Sequence, residues 1–441
     1  MAAYKPAHLR QPEPRRGVGR LVDLSGSWPL LLYYIAFAIY AVLSVLLRTR
    51  YAGVPAGAQG PWPTMSRLLQ VVILGLLAVK FFTQSFTKRQ MVIVLIVLAL
   101  ALVNRVVATW NYLIWIVAFV VTAQGVSVRK LAKISLVAFV PLIVLTVALS
   151  CFGVVENYSI WGAWNRSPAG PQERFSLGFI HPTALGIVCA AACLSALVAT
   201  KKKRWAWAVL AVSAAVTGLV YMITDSRGPV LVMAFAALLF VLLSISRELV
   251  HRWALRAIAA AYGLMLTVTF FGAIFYSPDN PFMELLNTVS SDRLRFSHMF
   301  LEQGLLAPFG VPRTAWPHLG PENMQLFGLD NAYFFALASF GWVTGVVILV
   351  VIALFLRKVL RERPAGVSPS VLGFSSYLVA GFMEQIMYAI AFNYFAVALA
   401  SMIYGQSIDA LDRGEWVLDD DARTLPEWCD RVRSRFAQRA A

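Results

Sequence analysis

The sequence predicts an all-α polytopic integral membrane protein, with about 12 transmembrane helices and a large extracytoplasmic loop. Composition is the first observation behind this. Of 441 residues, 59% are hydrophobic and 14% charged, where an ordinary soluble domain carries roughly 25% charged residues. A soluble globule of this length must wet its surface and has no place for so much apolar side chain. The second observation is that apolar residues come in runs of about twenty, enough to cross ~30 Å of hydrocarbon at ~1.5 Å per residue. The third is the segregation of basic residues into alternate connections.

The runs place spans at 29–47, 68–86, 90–109, 111–127, 132–153, 178–200, 205–224, 229–246, 257–277, 331–356, 370–389 and 391–408. With the N-terminus in the cytoplasm, five short loops there hold sixteen Lys and Arg against two acids, Glu248 and Glu362. Retention of cations on the cytoplasmic side sets that orientation and puts both termini inside. Three regions follow. Residues 1–28 form a disordered basic cytoplasmic tail, 29–408 the transmembrane domain, and 409–441 a second cytoplasmic tail. In the last, RVRSRFAQRA (431–440) has the makings of an amphipathic surface helix.

The formal charge of +16 is this inside bias plus basic tails lying against anionic membrane lipids, so no nucleic-acid partner is expected. No Gly-rich nucleotide loop follows a strand, and no cleavable signal peptide opens the chain. Four cysteines include Cys189 and Cys193 on one helix face, with no further ligand beside them. Neither a metal nor a cofactor is expected.

Two outer loops stand out, one at about 154–177 and one at 278–330. The second is long enough to be folded and functional. Within it, Ser291 is placed to cap a helix through DRLRFSHMFLEQ that ends at Gly304, with Phe296, Met299 and Phe300 as its apolar stripe. That helix would lie at the membrane surface, with Arg293 and Arg295 on its other faces.

Polar side chains in membrane helices mark function by default. Lys80 lies near a helix end and can extend its amine to the interface. The others concentrate at outer ends: Arg105, Arg174, His181, Asp225, Arg227, Asp330, Asn331, Glu384 and Asn393. A single outward-facing cavity would gather them. In RFSLGFIHPTALG (174–186), Pro182 suits a first helical turn, and His181 with the free N–H groups there can hold an anion; a plain helix cap is the alternative. In TDSRGP (224–229), Arg227 has no loop to escape into, and its guanidinium fork suits phosphate oxygens. Pairing with Asp225 is the other reading. LAPFGVPR (306–313) leads on to LDNAYFFALASFGWVTG (329–345), where Gly341 and Gly345 allow close helix packing.

These segments resemble the O-antigen polymerase and ligase family of bacterial surface-polysaccharide assembly. The likeness covers roughly 100–345. It rests on Arg174…Gly…His181-Pro182, on Ser226-Arg227-Gly228 at a helix end, on Arg293…Pro308-Phe309-Gly310, and on Asn331-x-Tyr333. The chain departs from the family pattern at Thr183 and Asp330. His298 and His318 do not match the loop histidine typical of the ligase branch, which favours the polymerase reading.

The resemblance implies a metal-independent glycosyltransferase in the bacterial cytoplasmic membrane. Its donor would be a polyprenyl-diphosphate-linked oligosaccharide at the outer face, and flippase and chain-length regulator proteins would be its candidate partners. Arg174 and Arg227, backed by Arg293 and Arg105, would stabilise the leaving diphosphate. Asp330 would take the acceptor proton, with His181, Glu384 and Asp225 in reserve; Asn331 and Tyr333 would contact substrate. Two alternatives stand beside it: a ligase-type transferase to another acceptor, and a transporter or flippase for the same lipid.

Overall fold

A computed structural model describes residues 20–22, 27–51, 61–161, 173–245, 248–316, 329–364, 366–418, 422–430 and 434. The predicted basic tail 1–28 therefore lies largely outside the described residues, as do His318 and most of 431–440. Strand β1 (Arg20–Val22) precedes α1 (Trp28–Leu46) and α2 (Pro61–Phe82). After β2 (Ser85–Phe86) come α3 (Lys88–Val107), α4 (Tyr112–Val121) and α5 (Val128–Cys151). A hairpin of β3 (Ser159–Trp161) and β4 (Glu173–Phe175) leads into α6 (Pro182–Ala199), α7 (Lys203–Thr224), α8 (Arg227–Ser244) and α9 (Glu248–Phe275).

The long loop then carries α10 (Pro281–Val289) and α11 (Arg293–Glu302). Next come α12 (Ala332–Ser339), α13 (Trp342–Glu362) and α14 (Pro369–Ala380). The chain finishes with α15 (Ala400–Tyr404), α16 (Ile408–Arg413), β5 (Trp416–Leu418) and β6 (Arg423–Thr424).

Among the described residues, nine helices are long and apolar enough to cross a membrane: α1, α2, α3, α5 to α9, and α13. Their outward faces expose Leu68, Val71, Leu95, Val137, Val212, Leu219 and Leu264, each more than half exposed. Apolar faces in such number fit hydrocarbon and not water, so the protein is membrane-embedded. Local chemistry starts several helices. Thr87 and Gln90 form a reciprocal capping box on α3, Asn280 caps α10, and Ser368 caps α14.

The bundle has two distinct ends. At one, β1 pairs with β5 and β2 pairs with β6, so both tails meet there. At the same end, Ser127 Oγ donates to Asp412 O, Lys203 Nζ to Ser244 O, and Lys358 Nζ to Gln406 O. We call this the tail face. At the opposite loop face, Arg50 N–H donates to Gly178 O and Trp110 Nε1–H to Val311 O.

Four of the sequence-defined spans are short or broken. Helix α4 has only 10 residues. The run 331–356 is two helices, since Gly345 lies against the backbone of Ala336 and α12 folds back on α13. Gly341 makes that turn at φ 84°, and a Cβ there would meet Pro308 O and Gly310 N at 2.3 Å. Its role is thus a tight reversal clamped by the 308–310 loop, and not the helix-packing spacing the sequence suggested.

The predicted pair 370–389 and 391–408 becomes α14, a buried irregular stretch, a 3₁₀ turn at Tyr394–Leu399, and α15. Non-helical backbone in a membrane protein requires such burial, because lipid offers it no hydrogen bonds. Asn393 Nδ2–H supplies one within the stretch, to Met387 O at 2.8 Å, and Tyr388 O–H ties the stretch to the start of α12 through Ala332 O at 3.0 Å. Lys80 also departs from expectation: it is 3% exposed inside the bundle and does not reach out to an interface.

Candidate functional site

The loop face gathers most of the polar residues picked out by the sequence, and a chain of contacts connects them. Arg174, on β4, is 5% exposed. Its Nε–H donates to Thr224 O at 2.7 Å, and its Nη2 reaches Thr183 Oγ1 and Ser226 Oγ at 3.4 Å each. One guanidinium therefore binds the first turn of α6, the last of α7 and the start of α8. Every one of these helix ends has orphan backbone groups to satisfy.

His181 caps α6. Its Nδ1 accepts from the Thr183 N–H at 3.1 Å, so the neutral ring carries its proton on Nε2. In that state its accepting nitrogen is used by the helix cap. Asp225 ends α7 in the left-handed region, φ 44° and ψ 43°, which lets the chain reverse directly into α8. Arg227 is the first residue of α8.

Gly228 follows, with Glu384 packed against it: a Cβ at this position would lie 2.3 Å from Glu384 Cγ. Glycine is required here to let the carboxylate side chain settle on helix backbone beside Arg227. Glu384 itself belongs to the irregular stretch after α14.

The next contact runs from that stretch to the long loop. Arg293 Nε–H donates to Met383 O at 3.3 Å, Nη1 to Ser291 O at 3.1 Å, and Nη2 pairs with Asp330 Oδ2 at 2.8 Å. Arg293 is thus turned inward, whereas the sequence placed it on a free face of a surface helix. The helix also begins later than expected. Ser291 and Asp292 both adopt positive φ, Asp292 is the N-cap residue without a side-chain cap bond, and the helix runs from Arg293. Phe300 is buried, with Phe296 and Met299 partly so.

Asn331 caps α12 through Oδ1, accepting from the Tyr333 and Phe334 N–H groups, while its Nδ2 donates to Thr269 Oγ1 at 2.9 Å. Tyr333 is fully buried against Tyr262, with its hydroxyl donating to Leu378 O. Both residues hold the base of the α12 hairpin under Asp330, and Tyr333 does not reach the polar cluster. Arg105 is exposed near the end of α3. Its neighbour Asn104 donates to Phe309 O and Ser339 O instead, bracing the 308–310 loop.

Two basic residues escaped the sequence reading. Arg48 and Arg50 follow α1 and run beside the 178–180 strand-like segment, where Ile180 N–H donates to Arg48 O. Arg48 lies 4.4 Å from the Phe392 ring centroid, and Arg50 lies 4.3 Å from that of Tyr158. Their signal was available: two arginines directly after the first span, on the side that the charge rule leaves poor in cations.

The resulting order of contacts is Arg48, Ile180 and His181, Thr183, Ser226 to Gly228, Glu384, Met383, Arg293 and Asp330. Among the described residues no group of three or more His, Cys, Asp or Glu converges on a metal geometry. No family model matches this chain, and no curated protein matches it in sequence.

Proposed function

We propose that this protein is a polysaccharide polymerase, moving a growing glycan from polyprenyl diphosphate onto a lipid-linked repeat unit at the outer face of the bacterial cytoplasmic membrane. The observation that supports it best is the linked cluster of arginines and carboxylates at the face opposite the tails. In this reading the tails are cytoplasmic, the spans 111–127, 370–389 and 391–408 join the nine long helices to make about twelve, and the loop face is where the chemistry happens.

Departure of lipid diphosphate from an anomeric carbon develops negative charge, which fixed guanidinium groups in a low-dielectric setting stabilise. Arg227 and Arg48 take that role. Arg174 and Arg293 hold the helix ends and loop that aim them, because their N–H groups are spent on backbone and side-chain acceptors. Glu384 and Asp330 are the carboxylates of the cluster that would receive the acceptor hydroxyl's proton. His181, at the first turn of α6, is a further polar contact for substrate oxygen.

An apolar groove of about 340 Å³, lined by Val97, Leu100, Leu113, Ile116, Val347 and Val351, suits a polyprenyl chain. Tyr388 also lines it and donates to Ala332, two residues from Asp330.

The test is reconstitution with lipid-linked repeat units and no nucleotide sugar. Chain growth is expected, with Arg227→Lys abolishing it at unchanged protein level. Transfer to a different acceptor would move the assignment to a ligase, and translocation without bond formation would move it to a transporter. Persistence of long polymer in Arg227→Lys would remove the diphosphate clamp.

A further inference from the structure

From the tail face we infer a binding site for an anionic phospholipid, seated where the ends of α5, α6, α8 and α14 meet. A cavity of about 460 Å³ is lined by Ser127, Arg129, Lys130, Lys133, Lys201 and Arg413, with Asp409 and Asp412 along one wall. A second cavity of about 360 Å³ shares Arg129, Lys201, Val367 and Pro369 with it. Its remaining walls are largely apolar, including Leu197, Val198, Phe240, Leu243 and Leu372. A cationic chamber that shares walls with an apolar one at a helix-bundle end has the polarity profile of a phosphate headgroup joined to acyl chain.

Charge bookkeeping supports the same occupant. Arg413 is satisfied by Glu415, with bonds of 2.6 and 2.7 Å, and Lys130 sits over Tyr34 at 5.6 Å. Among the described residues Arg129, Lys133 and Lys201 make no ion pair. Three unpaired cations therefore face one concavity. Retention of cations at this face requires that they be present, but not that they converge.

Two of the three, Arg129 and Lys133, lie in the first turns of α5. That helix has no acid in its first turn and no side-chain cap from Ser127, leaving its positive end uncompensated. In the apolar chamber, Ser244 Oγ is buried without a hydrogen-bond partner, while Lys203 Nζ closes one side by donating to Ser244 O. Basic pockets between membrane helices are a recurrent form of headgroup site.

The test is native mass spectrometry of the purified full-length protein, titrated with phosphatidylglycerol and, separately, with phosphatidylcholine. Preferential retention of phosphatidylglycerol is expected. Lys133→Ala with Lys201→Ala should weaken it about tenfold to thirtyfold, which is the loss of two basic contacts at about 1 kcal/mol each. Both lysines are exposed, so the fold survives their removal, and Lys201→Glu alone should weaken binding more than Lys201→Ala. Lys88→Ala with Arg361→Ala, equal in charge but outside the cavities, should leave it unchanged.

Equal weakening by that control pair would show diffuse surface attraction and overturn the site. Equal retention of phosphatidylcholine would overturn it too. Short-chain phosphatidylglycerol binding no tighter than inorganic phosphate would replace the lipid with a free phosphate anion and overturn the acyl-chain half of the inference.

Discussion

The two ends of this bundle handle cations in opposite ways. At the tail face, outside the cationic cavity, Lys88, Lys202, Arg204 and Arg361 stand exposed at or beside short connections. Their value lies in number and sidedness, and any one of these four is exchangeable for another. At the loop face, Arg174 is buried and spends its guanidinium on three neighbouring segments, while Arg293 is bound to Met383, Ser291 and Asp330. There a cation matters by position. The comparison teaches that net charge and charge placement are separate quantities: the first orients a membrane protein, and the second builds a site.

The sharpest way to break the comparison is Arg174→Ala. The substitution strands Thr224 O, Thr183 and Ser226 in a buried junction, and bonds to a charged donor contribute about 1.5–3 kcal/mol each. A loss of about 3 kcal/mol or more is expected, read as a collapsed peak in fluorescence-detected size-exclusion chromatography after heating. Normal melting would mean that the loop-face arginines are as dispensable as the tail-face lysines.

Asp412 is the tail face's exception, and it tests whether burial or location makes the difference. It is 6% exposed and receives Ser368 Oγ–H, Ser370 Oγ–H and the Ser370 N–H. Burial pushes its carboxyl up from an ordinary 3.8 to about 6, against the pull of those hydrogen bonds. The folded protein thus holds a proton that the unfolded chain releases near pH 3.8. The stability this contributes is complete below that value and is lost as pH rises through about 6. About 3 kcal/mol is at stake for a shift of this size, at ~1.36 kcal/mol per pKa unit. Asp412→Asn should flatten the dependence of melting temperature on pH between about 4 and 6; an unchanged slope would show that another group carries it.

How far the sequence could be read follows the same division. The helices α5 to α9 were legible because each is one continuous apolar run between basic or polar turns, and hydropathy reports composition along a line. Residues 331–356 and 370–408 were not, because the same apolar content serves a hairpin or a buried coil equally well. What decides between them is contact with the 308–310 loop at Gly341 and the hydrogen bond from Tyr388 to Ala332, both remote in sequence.

For the site, Arg174, His181, Arg227, Asp330 and Glu384 were legible as polar residues at the ends of apolar runs. Their partners were not. Nothing local in the sequence announces that Glu384 rests on Gly228, or that Arg293 turns inward to Asp330. Arg48 and Arg50 carry a weaker signal: they follow the first span on the side that the charge rule expects to be poor in cations, and nothing local shows that they run beside 178–180.

A smaller effect separates geometry from mere proximity at the loop face. Arg293 and Asp330 are 2.8 Å apart, with side chains 12% and 31% exposed. A double-mutant cycle of Arg293→Ala and Asp330→Ala should return a coupling of about 1–2 kcal/mol, within the range for contacting residues. Coupling near zero would leave Arg293 anchored by Met383 and Ser291 alone.

The smallest expected effect falls on the other side of the comparison. Lys202 precedes α7 as its N-cap residue, makes no side-chain cap bond and is exposed. A lysine there is also on the wrong end of the helix dipole, so nothing local is lost with it. Lys202→Ala should leave the melting temperature and the membrane orientation unchanged, because the remaining fifteen basic residues of the five short loops still outweigh their two acids. Orientation can be read by labelling an introduced cysteine at residue 154 from either side of intact vesicles. A single-lysine change that inverted the labelling would mean the tail face, too, works by position, and the contrast between the two ends would be lost.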